Sequence, residues 1–262
     1  DAKVTYFTQE NSHRPYQGTE GIMAYLYTIP RNVAIEDMEE YYHNPVNYAS
    51  TSYGTLGSNP YFLLYNDIND DTRTRTIGFV KGTFEITDFL SAFVRIGTDA
   101  LTQTIEVIHA TGHHYWPGGS INFNTRKVNE TNSDFLLMFD KEIASGLNLS
   151  ANFGGNMMRN TYTQQGVSGY DFKIPTKPTT SSASEVDPSY TPLREKKIHS
   201  LYGTLQFAYN NFLYLDISGR NDWSSTLPED NWSYFYPSVS LSFVVSEILA
   251  PNSNVLNFAK LR

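Results

Sequence analysis

Near its C-terminal end the chain alternates apolar and polar residues over a dozen positions. From Phe235 to Ser246, Phe235, Pro237, Val239, Leu241, Phe243 and Val245 fall on one face. Tyr236, Ser238, Ser240, Ser242 and Ser246 fall on the other, with Val244 the one lapse. A period of two means a strand with one apolar face. A tilted transmembrane strand needs roughly 9–11 residues, and strands cross lipid only as part of a closed barrel.

The same alternation recurs upstream. Gly78, Val80, Gly82, Phe84 and Ile86 share a face in a strand expected over 74–86. Ala92, Val94, Ile96, Thr98 and Ala100 share one over 90–104, opposite Ser91, Arg95 and Asp99. A weaker pattern over 121–142 reads as a bulged strand or one projecting past the membrane. Leu147, Leu149, Ala151 and Phe153 oppose Asn148, Ser150, Asn152 and Asn156. Leu201, Gly203, Leu205 and Phe207 oppose Tyr202, Thr204, Gln206 and Ala208 in a strand expected over 198–210. Leu213, Leu215, Ile217 and Gly219 point outward over 212–220, with Tyr214, Asp216, Ser218 and Arg220 inward. Residues 1–8 read as the end of a strand, and Phe258 to Arg262 as one just beginning.

The connections carry the second signal. Long stretches at 9–73, 105–120, 159–197 and 221–233 alternate with short turns at 87–89, 143–146 and 210–211, and 247–259 is intermediate. An up-and-down meander with one elaborate end gives this pattern, as outer-membrane barrels do. A Greek-key sandwich gives no such regularity. Within 9–73, Val33 to Tyr42 reads as a short helix capped by Asn32, with acids in its early turns. The Pro-, Ser- and Thr-rich run Pro175 to Ser184 has the composition of a linker. The fold class expected is all-β: a transmembrane antiparallel up-and-down β-barrel, contributing about eight strands with long extracellular loops and short periplasmic turns.

Composition agrees with this and closes other routes. Aromatics reach 15%, with 19 Tyr and 16 Phe, which suits rings at a membrane interface or along a ligand path. A net charge of −8 without a basic cluster argues against nucleic acid as a partner. The chain has no cysteine, which excludes disulfides and thiolate metal sites. No apolar run reaches the roughly 18 residues of a membrane helix. Opening at Asp1 without a methionine or signal segment, the chain reads as an internal piece of something longer.

At residues 200–262 the sequence resembles a known family. Ser200-Leu-Tyr-Gly-Thr-Leu205, Tyr209-Asn-Asn-Phe-Leu-Tyr-Leu215, Gly219-Arg-Asn-Asp-Trp-Ser-Ser-Thr-Leu-Pro228 and Tyr234-Phe-Tyr-Pro-Ser-Val-Ser-Leu-Ser-Phe243 resemble the barrel of SusC/RagA-type TonB-dependent transporters. Asn59-Pro-Tyr-Phe, Asp71-Thr-Arg-Thr-Arg75 and Ile86-Thr-Asp-Phe-Leu-Ser91 are similar in order and spacing, and Lys260-Leu-Arg262 looks like the entry to that family's next strand. The resemblance implies that residues 1–262 are part of a 22-stranded outer-membrane barrel of Bacteroidetes-type bacteria. It implies import of oligosaccharides or oligopeptides driven by TonB–ExbBD, with a SusD-like surface lipoprotein as lid. The plug, the TonB-contacting segment and the C-terminal strands of that family have no counterpart here. A soluble all-β glycan-binding module or adhesin is the alternative. It would stay in buffer, where a barrel needs detergent.

The candidate site residues follow from side-chain type. Tyr115, Trp116, Trp223 and Trp232 lie in long connections, where aromatic faces suit sugar rings or peptide side chains; an interfacial girdle is the favoured account of any one of them. Asp216 and Arg220 are expected to face the lumen, with Asp222 just past them, as a charged network or as simple wall solvation. Asp67-Ile-Asn-Asp-Asp71 opens like a calcium loop, but Thr72 and Gly78 stand where such a loop needs Gly and Glu, which favours a polar loop before a strand. His109, His113 and His114 have no carboxylate at a metal-site spacing, which favours an ordinary surface loop. No hydrolase, P-loop or paired-carboxylate motif stands out, so no enzymatic activity and no cofactor are expected.

Overall fold

The structure, a computed structural model, describes residues 1–18, 21–51, 57–249 and 258–262. Nine strands form one sheet in strictly sequential order, every neighbouring pair antiparallel. They are β1 (Ala2–Asn11), β2 (Ile68–Thr87), β3 (Leu90–His109), β4 (Ser120–Ala144), β5 (Leu147–Phe172), β6 (Ala183–Tyr209), β7 (Leu213–Ser224), β8 (Ser233–Val244) and the two-residue β9 (Lys260–Leu261). Among the described residues β1 pairs only with β2 and β9 only with β8, so the sheet stays open. No described helix is long and apolar enough to cross a membrane, which says nothing about strands.

Register decides which side chains share a face, because cross-strand partners point the same way. Leu90, Phe139, Ala151, Leu205, Ile217 and Val239 form one row across six strands. Ala92, Leu137, Phe153, Gly203, Gly219 and Pro237 form the next. These apolar rows are uncovered: Val239 is 70% exposed and Phe153 50%, and Phe235 on the same face is 64% exposed. A soluble sandwich would bury such rows under a second sheet. Gly203 and Gly219 interrupt the second row and leave a shallow groove of about 800 Å³, edged by Phe153, Leu201, Trp223 and Phe235. The opposite rows are polar. Asp140, Ser150, Gln206, Asp216 and Ser240 form one; Arg95, Asp134, Asn156, Ser200, Asp222 and Tyr234 form another.

Strand ends depart from the sequence reading mostly at the long-loop end. Residues 159–197 are largely strand. β5 and β6 run 26 and 27 residues, and only 173–182 connect them. At about 3.3 Å per residue such strands extend near 85 Å, far more than a bilayer needs, so their upper halves stand clear of it. The loop expected over 159–197 therefore shrinks to a connection that largely coincides with the linker-like run 175–184; Pro188 and Pro192 sit in β6, and among the described residues this part of β6 pairs only with β5. β7 joins β6 at Ile198, so above it one side of β6 is a free edge, where a missing N–H costs no ladder bond. Pro192 and Leu193 also form a bulge between the pairs Tyr162–Arg194 and Gln164–Thr191. β4 projects without a bulge along its whole pairing with β3.

The turns between strands are short and keep their expected places. Asn210 and Asn211 both have positive φ (44° and 59°), and the Phe212 N–H donates to the Tyr209 carbonyl at 3.1 Å. That is the primed hairpin turn that suits strand twist, and Asn tolerates it. The connection after β8 contains α4 (Ser246–Leu249); the part of the expected 247–259 connection at 250–257 lies outside the described residues.

Among its described residues the β1–β2 connection, residues 12–67, carries three short helices: α1 (Ile22–Leu26), α2 (Ile35–Glu40) and α3 (Pro60–Asn66). α2 is the helix expected at 33–42, but Ala34 occupies its N-cap position and Asn32 does not cap it. α3 carries the stronger start signal. The Asn59 side chain accepts the Tyr61 N–H at 2.9 Å, and Pro60 follows at the first helical position. Among the described residues the buried apolar cluster is small: Ile108, Ile121, Phe172 and Ala183, with Ile68 against it. It lies at the long-loop end and helps fasten the strand tops.

Candidate functional site at the long-loop end

The polar face gains charge as it rises toward the long loops. Arg95 Nε donates to Asp134 at 2.8 Å, and Asn156 Nδ2 donates to the other oxygen of the same carboxylate at 2.6 Å. Arg75 forks onto Asp99, with Nε–Oδ1 at 2.7 Å. Higher still, buried Asp71 accepts from Asn11 at 2.9 Å and Gln103 at 2.8 Å, and pairs with Arg14 at 3.1 Å and Arg73 at 2.9 Å. Burial alone would raise its pKa, but the Asn11 and Gln103 hydrogen bonds and the two guanidinium groups outweigh it, so the carboxyl sits below its ordinary value. Arg126 continues the chain by donating to Gln103 at 2.7 Å.

Above this network, three segments converge. Asp67, the C-cap residue of α3, meets His109 at the end of β3 and His113 in the β3–β4 loop. Asp67 Oδ2 is 3.0 Å from His109 Nδ1 and 3.6 Å from His113 Nε2, and Oδ1 accepts the Ala110 backbone N–H at 3.0 Å. All three side chains are buried, His113 to 1% exposure. Burial pushes the Asp67 pKa up, and its hydrogen bonds from His109 and Ala110 only partly offset this. Burial, with His109 and His114 nearby, pushes His113 down to about 3. His109 is itself flanked by rings: Tyr16 at 5.0 Å and Trp116, nearly parallel, at 5.9 Å, with Tyr170 stacked on Trp116 at 5.8 Å.

The expectation of an ordinary surface loop for these histidines is therefore corrected. His109 and His113 are core groups of the strand tops, and only His114 is exposed. Their carboxylate partner lies 42 residues before His109, a distance that no spacing rule covers. The calcium-like run after Asp67 is not a loop either. Ile68 to Asp71 already belong to β2, so their side chains alternate: Asn69 accepts from Arg14 at 2.9 Å, while Asp70 accepts the His13 backbone N–H at 2.6 Å.

The aromatic candidates separate in space. Tyr115 and Trp116 sit in the β3–β4 loop beside the Asp67 cluster; Tyr115 is exposed, and the buried Nε1–H of Trp116 has no protein partner. Trp232 is exposed in the β7–β8 connection. Trp223 pairs with His199 and shares the apolar outer face with Leu201 and Phe235. It belongs to β7 and not to the long connection expected at 221–233, and parity along the strand points it away from the polar face. Asp216 and Arg220 lie on the polar face, as two separate groups. Gln206 donates to Asp216 at 2.6 Å, whereas Arg220 pairs with Asp222 at 2.9 Å and donates to Ser200 at 3.1 Å.

Two long connections are locked together above the sheet. The Ser50 N–H donates to the Gly112 carbonyl, and the His114 N–H donates to Ser58 Oγ, both at 2.8 Å. Gly112 has a φ of +96°, and a Cβ there would stand 1.8 Å from the Tyr48 carbonyl oxygen. Gly112→Ala is expected to undock the 21–51 segment at a cost of roughly 1–3 kcal/mol, from positive-φ strain and backbone displacement. Limited proteolysis should show new cleavage within 21–51; an unchanged pattern would refute the lock.

Comparison with known proteins places this fold. No family model matches the chain. A TonB-dependent receptor, P26, from Formosa agariphila is 28% identical over 135 residues, covering 50% of this chain and 13% of that protein. The RagAB peptide transporter aligns with a TM-score of 0.70 at 17% identity, covering 97% of this chain and 29% of that one. The RagAB peptide importer in its closed-closed and open-open states aligns at 0.66 and 0.64, with 19% and 17% identity and the same coverage. The chain thus spans less than a third of the length of these relatives. Over nearly its whole length it shares the all-β fold of the corresponding part of the RagAB transporter.

Proposed function

We propose that this chain is the mid-barrel wall, with its outward loops, of a SusC-like TonB-dependent importer of oligopeptides or oligosaccharides. The observation that carries this reading is the two-sided sheet: uncovered apolar rows on one face and hydrogen-bonded polar rows on the other, continuous across the strands. Hydrocarbon is the medium that tolerates the first face, and a wet passage is what the second can line. An open sheet edge is intolerable in lipid, so further strands and a plug from the same protein would complete the barrel. The passage catalyses no covalent step. Its cargo would meet Tyr115, Trp116 and Trp232 near the mouth and the Asp216 and Arg220 rows below. Energy would come from TonB–ExbBD through regions outside this chain, and a SusD-like surface lipoprotein would close the mouth. The likeness to a peptide transporter favours peptide cargo.

Cells carrying and lacking the protein, supplied with labelled oligopeptides or oligosaccharides as sole nutrient, test the reading. Growth on one class should require both the protein and TonB. The protein should fractionate with outer membrane and leave it only in detergent. Release into plain buffer would overturn the barrel reading.

A further inference from the structure

We propose that Asp67, His109 and His113 form a divalent transition-metal site of the zinc class, pinning the β3–β4 loop to the end of the β1–β2 connection. The inference does not depend on what cargo the protein carries. Two imidazoles and one carboxylate, with a fourth position left for solvent or a ligand, are the donor set of an open zinc site. The three donor atoms lie within 4.8 Å of one another and all three residues are buried. Around a tetrahedral zinc with bonds of ~2.0–2.1 Å, adjacent donors stand about 3.3 Å apart. The two Asp67 edges, 3.0 Å to His109 Nδ1 and 3.6 Å to His113 Nε2, bracket that value. The second edge is too long for a hydrogen bond, so proton sharing alone does not account for the convergence.

The surroundings supply the support a metal site needs. The Ala110 N–H holds the second carboxylate oxygen, and Tyr16 and Trp116 hold the His109 ring from its sides.

Binding has a structural consequence. In the metal-free arrangement His113 Nδ1 accepts the Tyr115 backbone N–H at 3.1 Å, which puts the imidazole proton on Nε2. A metal on Nε2 moves that proton to Nδ1, with no net proton lost from a neutral imidazole. Nδ1–H can no longer accept from Tyr115, so that bond breaks and the exposed Tyr115 shifts. The metal would thereby couple to an aromatic side chain at the mouth.

The test uses the full protein purified in detergent at neutral pH and stripped with chelator. Zinc is titrated against a micromolar chromogenic chelator, and cobalt is followed by its visible absorption. One zinc per chain, tetrahedral cobalt bands and a zinc-dependent change in tryptophan emission are expected. Asp67→Ala and His113→Ala should weaken zinc binding roughly 100-fold or more, while His114→Ala leaves it unchanged. Should either ligand variant fail to fold, the cobalt spectrum of the unmodified protein decides. Failure to compete with the chelator, absent tetrahedral bands, or equal loss in His114→Ala would overturn the proposal.

Discussion

Val239→Arg is expected to lower the stability of the protein in a bilayer by about 2–4 kcal/mol, and Ser240→Arg, the next residue along β8, by much less. Val239 lies midway between Phe235 and Phe243, in the apolar row with Ile217 and Leu205. A guanidinium there must sit in hydrocarbon or drag water and headgroups inward. Ser240 pairs with Asp216 on the opposite face, so an arginine there gains a carboxylate neighbour in water. Reversible unfolding by denaturant in lipid vesicles measures both. Equal losses would count against the face assignment, and the transport proposal would go with it.

Acid should loosen the mouth by a comparable amount. His113 is held at about 3 against an ordinary value of 6.5, chiefly by burial. A depressed histidine binds fewer protons when docked than when free. The docked loop therefore has its full stability above pH 6.5 and loses it as the pH falls toward 3. Each unit is about 1.4 kcal/mol, so the whole span amounts to about 4–5 kcal/mol. Asp67 works the other way: burial raises its pKa, so its protonation in the docked state gives back part of the loss at the acid end of the range. With chelator present, Trp116 emission and protease nicking within 110–119 should both change between pH 7 and pH 4. His113→Gln, which has nothing to titrate, should flatten that dependence. A pH-independent loop would show that His113 is wetter than its packing indicates.

How far the chain could be read without coordinates varies along its length. Over Leu213 to Arg220 in β7 and Phe235 to Phe243 in β8 every outward and inward residue was legible, because both runs alternate cleanly and each faces two media. The Asn210–Asn211 turn was legible for an equally local reason: few residues tolerate two successive positive φ values. The tops of β5 and β6 were not. There both faces meet water, the alternation fades, and Pro188 and Pro192 break the pattern expected of a strand. Only the pairing with β5, and the absence of β7 at that height, shows why proline is tolerated.

Trp223 was misplaced for a subtler reason, since the connection expected at 221–233 is strand as far as Ser224. Its chemistry suited a ligand, but one step of parity along β7 turned it outward. The Asp67 cluster was beyond reach altogether. His113 sits in a legible loop and His109 ends β3, yet nothing in either stretch announces a carboxylate from the end of α3.

The sequence by itself determined the alternating faces, the sequential antiparallel order and the contrast between long and short connections. Each of these is written in a repeat of two or in a turn of a few residues, so neighbours along the chain suffice to express it. Only the tertiary structure decided that Asp67, His109 and His113 meet, that Asp71 gathers Arg14, Arg73 and Gln103, and that Gly112 must pass beneath Tyr48. Those contacts join segments brought together by strand register and loop packing, and the free energy that fixes them is shared among residues no local pattern connects.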